Sequence, residues 1–211
     1  MSNQNVLQSP LVQIDFAEFE LTKQSQNKNT LWYHERPFHS HINLRGSIDD
    51  AVLISAAQQV LGGSLPVLAN TAVTNGDSTV FWLGPDEWLI LTPSSSANKL
   101  VDTLRTALQN TFCSVIDISG GNTIIEIGGP AAEELMCKGS TLDFHPDVFS
   151  LGDCAQTLFA KTNVLIYPAQ SMQTNGKKVY RMIVRRSFAD YFARWLIDAA
   201  AEFVFDQSKI D

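Results

Sequence analysis

A chain of 211 residues, 45% hydrophobic and 18% charged, is long enough for one or two domains and apolar enough to bury a core, which excludes global disorder. Its 22 Asp+Glu exceed its 15 Lys+Arg, for a formal net charge of -7. A nucleic-acid partner, which demands clustered cations to displace counterions, is therefore not expected. No apolar run reaches the roughly 18–20 residues that span a bilayer, and MSNQNVLQSP has neither the basic nor the apolar region of a signal peptide, so a cytoplasmic protein without membrane contact is expected.

Residues 1–30 are polar, rich in Gln and Asn, and read as a flexible N-terminal arm with a short ordered piece around Leu11–Leu21. A first α+β unit is expected over 31–119. His41–Leu44 reads as its first strand. Ser47 and Asp50 then open a helix, with Ser47 as cap and Asp50 in the positive first turn. Val52, Leu53, Ala56, Ala57, Val60 and Leu61 share one helical face, and Gly62-Gly63 ends it. Thr79–Leu83 and Trp88–Leu91 are β-branched and aromatic, with Gly84-Pro85-Asp86-Glu87 between them as the turn of a hairpin. Ser94-Ser95-Ser96 is expected to cap a second helix whose buried face is Ala97, Leu100, Val101, Leu104 and Leu108. Strand Cys113–Ile118 follows. The order β-α-β-β-α-β is the split βαβ pattern of a ferredoxin-like sheet.

A second unit is expected over 120–211, joined to the first by a seam at Ser119-Gly120-Gly121 too short to be a flexible linker, so that the two pack closely. Thr123–Ile127 reads as a strand and Gly129-Pro130 as the opening of a short helix that Gly139 ends. Cys154–Phe159 and Asn163–Tyr167 form a strand pair around Ala160-Lys161-Thr162. After strand Val179–Val184, Ser187 and Asp190 repeat the capped helix start. Phe188, Tyr191, Phe192, Trp195, Leu196, Ala199 and Phe203 form the stripe expected to be buried. The fold class is thus α+β, an approximate duplication of two ferredoxin-like units packed together.

Candidate chemistry is sparse. Asp86 and Glu87 are adjacent acids beside Trp88, but at a hairpin tip water solvates them, and a general acid needs the raised pKa of a buried carboxyl. His39 and His41 share one face of a strand, as metal ligands do, yet no Cys or further His stands near to complete a four-ligand site. Cys113, Cys137 and Cys154 are odd in number and widely spaced, and read as buried reduced thiols without a His partner. Gly128-Gly129 precedes a helix and offers backbone donors to an anion, but there is no G-x-G-x-x-G fingerprint, no Walker lysine and no G-x-S-x-G elbow. No catalytic, cofactor-binding or metal residue is therefore assigned. Leu31-Trp32-Tyr33 and Phe38 form an aromatic cluster expected to contribute a subunit interface, with folding back onto the chain's own core as the alternative.

The order of several short motifs goes further than any one of them. Leu83–Leu89 (LGPDEWL) is followed by Val115–Ser119 (VIDIS) and Gly128–Leu135 (GGPAAEEL). Then come Lys138-Gly139 with Leu142-Asp143, Phe149 with Gly152–Thr157 (GDCAQT), and Arg186–Ala189 (RSFA). This series, from about His41 to Phe205, resembles the gamma subunit family of the bacterial heterotetrameric sarcosine oxidases. That family is itself similar to the aminomethyltransferases of glycine cleavage and to folate-binding proteins related to them. The resemblance implies the aminomethyltransferase-like, folate-binding fold. It also implies a non-catalytic, structural role in a complex with alpha, beta and delta subunits that oxidises sarcosine to glycine. It implies further that FAD, FMN, NAD, zinc and tetrahydrofolate are bound by the other subunits, and that this chain holds no cofactor of its own. The aminomethyltransferases' catalytic aspartate has no match here: Asp77 lies in the right region, but its neighbours differ. A free-standing folate-binding aminomethyltransferase-like protein is the alternative.

Overall fold

The computed structural model describes residues 7–14, 31–170 and 178–204. Ten strands and four α-helices are arranged there as two five-stranded antiparallel sheets stacked face to face, each with two helices on its outer side.

The first sheet has the order β3 (Ala72–Asn75), β4 (Ser78–Gly84), β5 (Glu87–Pro93), β2 (His39–Gly46), β6 (Cys113–Asp117). Strands β4-β5-β2-β6 with helices α1 (Ala51–Leu61) and α2 (Ser94–Ala107) are the expected ferredoxin-like unit. Strand β3, which the sequence reading passed over, extends its edge. Leu53, Ala57 and Leu61 of α1 and Val101 and Leu104 of α2 are buried against Ile42, Leu44, Trp88 and Ile90, and Ala97 of α2 is buried as well. Helix α1 is capped by Asp50 rather than Ser47. The Asp50 carboxylate accepts the backbone N–H groups of Val52 and Leu53 at 2.9 and 3.1 Å, while the Ser47 hydroxyl serves Asp49 one turn earlier. Gly62 ends the helix at φ 68, a left-handed conformation that costs glycine little. Helix α2 begins at Ser94 directly after Pro93 and has no side-chain cap, so the serine run forms its first turn instead of preceding it.

The second sheet has the order β1 (Trp32–Arg36), β7 (Asn122–Gly128), β10 (Lys178–Arg185), β9 (Thr162–Gln170), β8 (Ala155–Phe159). Helices α3 (Ala132–Gly139) and α4 (Ala189–Val204) cover it. The duplication is close. Strand β7 matches β2, β8 matches the extra edge strand β3, and β9 and β10 match β4 and β5. The fourth strand of this unit, however, is β1, which precedes the first unit in the chain and pairs with β7. Trp32–Arg36 therefore belongs to the sheet of the second unit and not, as the sequence suggests, to the first. The chain crosses between sheets at Pro37-Phe38, with Phe38 at φ 61. Of the arm expected over 1–30, residues 7–14 are described, and Leu11 is buried with α4 in the second core; the remainder, most of the Leu11–Leu21 piece included, lies outside the described residues.

Helix α4 differs from expectation at its start. A 3-10 turn over Arg186–Phe188 precedes it, so Ser187 lies inside that turn and is no cap. Ala189, Phe192, Ala193, Leu196, Ala200 and Phe203 are buried, whereas Phe188 and Tyr191 are exposed. The stripe is rotated because Ala189 and Ala193, too small to stand out in the pattern, face the sheet. The three cysteines are free thiols, but only Cys154 is buried; Cys137 is exposed on α3. No helix among the described residues is long and apolar enough to cross a membrane.

Candidate functional site between the two sheets

Strands buried on both faces read as continuous apolar runs, and a charge inside such a run stands out. Glu126 in Thr-Ile-Ile-Glu-Ile-Gly and Arg181 in Val-Tyr-Arg-Met-Ile are of this kind. Alternation sends Ile125 and Ile127 to the helix side and Ile124 and Glu126 to the space between the sheets. Likewise Tyr180 and Met182 face the helices, while Val179, Arg181 and Ile183 face the other sheet.

Register then aligns the polar groups. His34 lies opposite Glu126, Glu126 opposite Arg181, and Arg181 opposite Tyr167, a row across four adjacent strands. Glu126 is fully buried. Its Oε2 accepts Arg181 Nε–H at 2.5 Å, Arg36 Nη1 lies 3.6 Å from the same oxygen, and His34 Nε2 lies 3.7 Å from Oε1. A carboxyl group at this depth is costly to bury without partners, and the two guanidinium groups supply them. Phe81 of β4 packs on Tyr167 with ring centroids 4.6 Å apart, which ties the row to the first sheet.

His39 and His41 of β2 face this row. Burial and then the Arg36 charge hold His39 below the ordinary imidazole range. His41 is 1% exposed, and burial, with His39 beside it, lowers its pKa to about 4. Neither His41 ring nitrogen has a well-formed hydrogen bond among the described residues. The ring is therefore neutral near pH 7, and among the described residues no group of three or more His, Cys, Asp or Glu side chains suited to a metal gathers around this pair. The Cys154 thiol is pushed up to about 12 by burial, too high for a thiolate nucleophile at neutral pH.

The remaining candidates fall elsewhere. Asp86 is exposed in the β4–β5 turn, while half-buried Glu87 opens β5 and accepts Asn43 Nδ2–H at 2.8 Å; Arg45 Nη2 lies 3.3 and 3.8 Å from the two carboxylates. Asp77 lies in the turn between β3 and β4. Leu31, Trp32 and Tyr33 are 3, 6 and 1% exposed, each packed in the chain's own cores, because β1 is a sheet strand and not a surface segment. Phe38, 47% exposed, is the member of that cluster with area left to offer. Sequence reasoning passed over Glu126, Arg181 and Tyr167. The signal was available: a lone acid and a lone base in two doubly buried strands, each requiring a partner.

Comparison with known proteins places this geometry. The family model described as "Sarcosine oxidase, gamma subunit family" matches residues 45–202. Sarcosine oxidase subunit gamma of Corynebacterium sp. (strain U-96) is 32% identical over 173 residues, covering 80% of this chain and 78% of that one. Its counterpart from Corynebacterium sp. (strain P-1) is 28% identical over 206 residues, 96% of this chain and 97% of that one. Among solved structures, the heterotetrameric sarcosine oxidase from Corynebacterium sp. U-96 in complex with pyrrole 2-carboxylate contains a chain that superposes with a TM-score of 0.82 at 27% identity, covering 95% of this chain and 98% of that one. The glycine cleavage system aminomethyltransferase T from Bartonella henselae, at 12% identity and a TM-score of 0.60 over 86% of this chain and 48% of its own, shares the fold. The expected aminomethyltransferase-like α+β architecture is therefore present, and the chain belongs to the sarcosine oxidase gamma subunit family.

Proposed function

We propose that this chain is the gamma subunit of a heterotetrameric sarcosine oxidase, a structural member that joins alpha, beta and delta subunits in the oxidative demethylation of sarcosine to glycine. The observation that carries this reading is the end-to-end correspondence with one chain of such an enzyme, 95% of this chain and 98% of that one. In this reading FAD, FMN, NAD, zinc and tetrahydrofolate belong to the partner subunits, and the complex works in the cytoplasm. The described ionic groups suit a bracing role. Glu126 is taken up by Arg181 and Arg36, which ties three strands of the second sheet together, and Phe81 packed on Tyr167 links that sheet to the first. Phe38, at the crossover between them, is the sequence-assigned interface residue that stays accessible.

The test is co-expression of this chain with candidate alpha, beta and delta chains, followed by size exclusion and an absorption spectrum. Co-elution of all four in a yellow complex with sarcosine-dependent peroxide formation is expected, with the isolated chain colourless. A yellow isolated chain, or one that oxidises sarcosine alone, overturns the assignment, as does failure of this chain to join an otherwise assembled enzyme.

A further inference from the structure

Tyr167 and Arg181 form the floor of a cleft of about 460 Å³ at one end of the space between the sheets, with Thr74 and Thr79 from β3 and β4 on its wall and Gly152 and Gln170 at its rim. Three features of this floor point to a ligand. The first is charge. Arg36 and Arg181 share the single Glu126 carboxylate, and His39 and His41 are held towards the neutral form, so the seam retains one positive charge. The second is an unanswered donor. Tyr167 is 3% exposed, and its hydroxyl oxygen faces the Arg181 guanidinium, while its own proton finds no acceptor among the described residues. Its close polar neighbour is Arg181, which carries donors only and cannot accept the phenolic proton. The third is geometry. Arg181 turns Nε towards Glu126, and a guanidinium engaged through Nε keeps further N–H donors in its fixed fork.

We propose that this cleft binds a small free organic monocarboxylate, whose oxygens accept from the Arg181 guanidinium and the Tyr167 hydroxyl. One negative charge neutralises the seam, whereas a dianionic phosphate overcompensates it. The rest of the lining is apolar or weakly polar, with Ala72, Leu151, Pro168 and Ala169, which accommodates a short aliphatic body. The Thr74 and Thr79 hydroxyls, 3.3 Å apart, offer further donors at the wall. This inference stands independently of the subunit assignment, since it rests on groups within one chain.

The test titrates the purified full-length chain with sodium acetate and sodium butyrate by calorimetry, at ionic strength held constant with sodium chloride, with sodium phosphate and a short peptide bearing a free C-terminal carboxylate as comparison arms. Saturable binding of acetate or butyrate is expected, tighter than chloride or phosphate. Tyr167→Phe, which removes one hydroxyl and keeps the packing on Phe81, should weaken it at least tenfold. Thr79→Val gives a second reading should Tyr167→Phe unfold, with an expected loss of about threefold. Carboxylate binding no stronger than that of chloride overturns the proposal, as does binding unaltered in both variants. Binding confined to the peptide also overturns it, in favour of a protein partner.

Discussion

Glu126 and Arg181 sit opposite each other on adjacent strands, an acid and a base 2.5 Å apart between two sheets. Removing one partner of a buried pair costs more than the pair is worth, because it leaves the other charge desolvated. Glu126→Ala should lower unfolding free energy by about 3 kcal/mol, the low end of the usual range, since Arg36 and Arg181 keep some contact with solvent. The double variant Glu126→Leu/Arg181→Met should lose less than the sum of the single variants. Urea unfolding of the three variants checks both statements, and a loss under about 1 kcal/mol for Glu126→Ala would show that the pair is not truly buried.

Stability should fall on mild acidification because of His41. In the unfolded chain its imidazole titrates near the ordinary value of about 6.5; in the fold the value is about 4. Between these limits the unfolded state binds more protons. Stability from this group is therefore complete above the unfolded value, falls as pH drops below it, and levels off below the folded one. The steepest slope is about 1.4 kcal/mol per pH unit, and His39 shifts in the same direction. Denaturation midpoints at pH 7 and pH 5 should differ in the wild type and differ distinctly less in His41→Leu. Equal differences in both would assign the pH response to other groups.

At the start of α1 the capping role belongs to Asp50. Asp50→Ala should cost about 1 kcal/mol, as loss of an N-cap does, while Ser47→Ala should remain within about 0.5 kcal/mol. Thermal melts compare the two, and the reverse ranking would restore Ser47 as the cap.

Ala160 and Lys161 join β8 to β9 with φ 48 and 65, the left-handed pair of a two-residue hairpin turn that Asn-Gly satisfies best. Replacing Ala160-Lys161 with Asn-Gly should raise stability by about 0.5–1 kcal/mol through relief of this conformation. A lowered melting temperature would mean that the Lys161 side chain contributes something the turn geometry does not show.

At the β4–β5 turn, Asp86→Asn with Glu87→Gln removes partners of Arg45 that are themselves partly or largely solvated. Exposed pairs contribute little, so stability should move by less than about 1 kcal/mol and the activity of a reconstituted complex should stay within a factor of two. A hundredfold loss of turnover in an assembled complex would make these acids functional.

Most of the fold was legible because it is written in local periodicity. The apolar stripe of α2, the hairpin around Gly84–Glu87 and the repeated split βαβ order all survive in the structure. What was not legible depends on contacts distant in sequence. Leu31-Trp32-Tyr33 looked like a surface cluster because nothing local shows that β1 pairs with β7, across residues 37–121. Strand β3 is short and half exposed, with little pattern to find. At the candidate site, His39 and His41 drew notice as a spacing motif, whereas Glu126, Arg181 and Tyr167 acquire meaning only once register sets them in one row.

The donation of β1 to the second sheet also has a bearing on synthesis. The ribosome releases this strand first, yet β7, its hydrogen-bonding partner, emerges only after the whole of the first unit. Through that interval an aromatic strand with unanswered backbone groups waits beside a unit that can already close its own sheet. Fusing residues 31–38 behind α4 through a short linker would deliver the strand immediately after β10 and α4, and would turn the second unit into a contiguous gene segment.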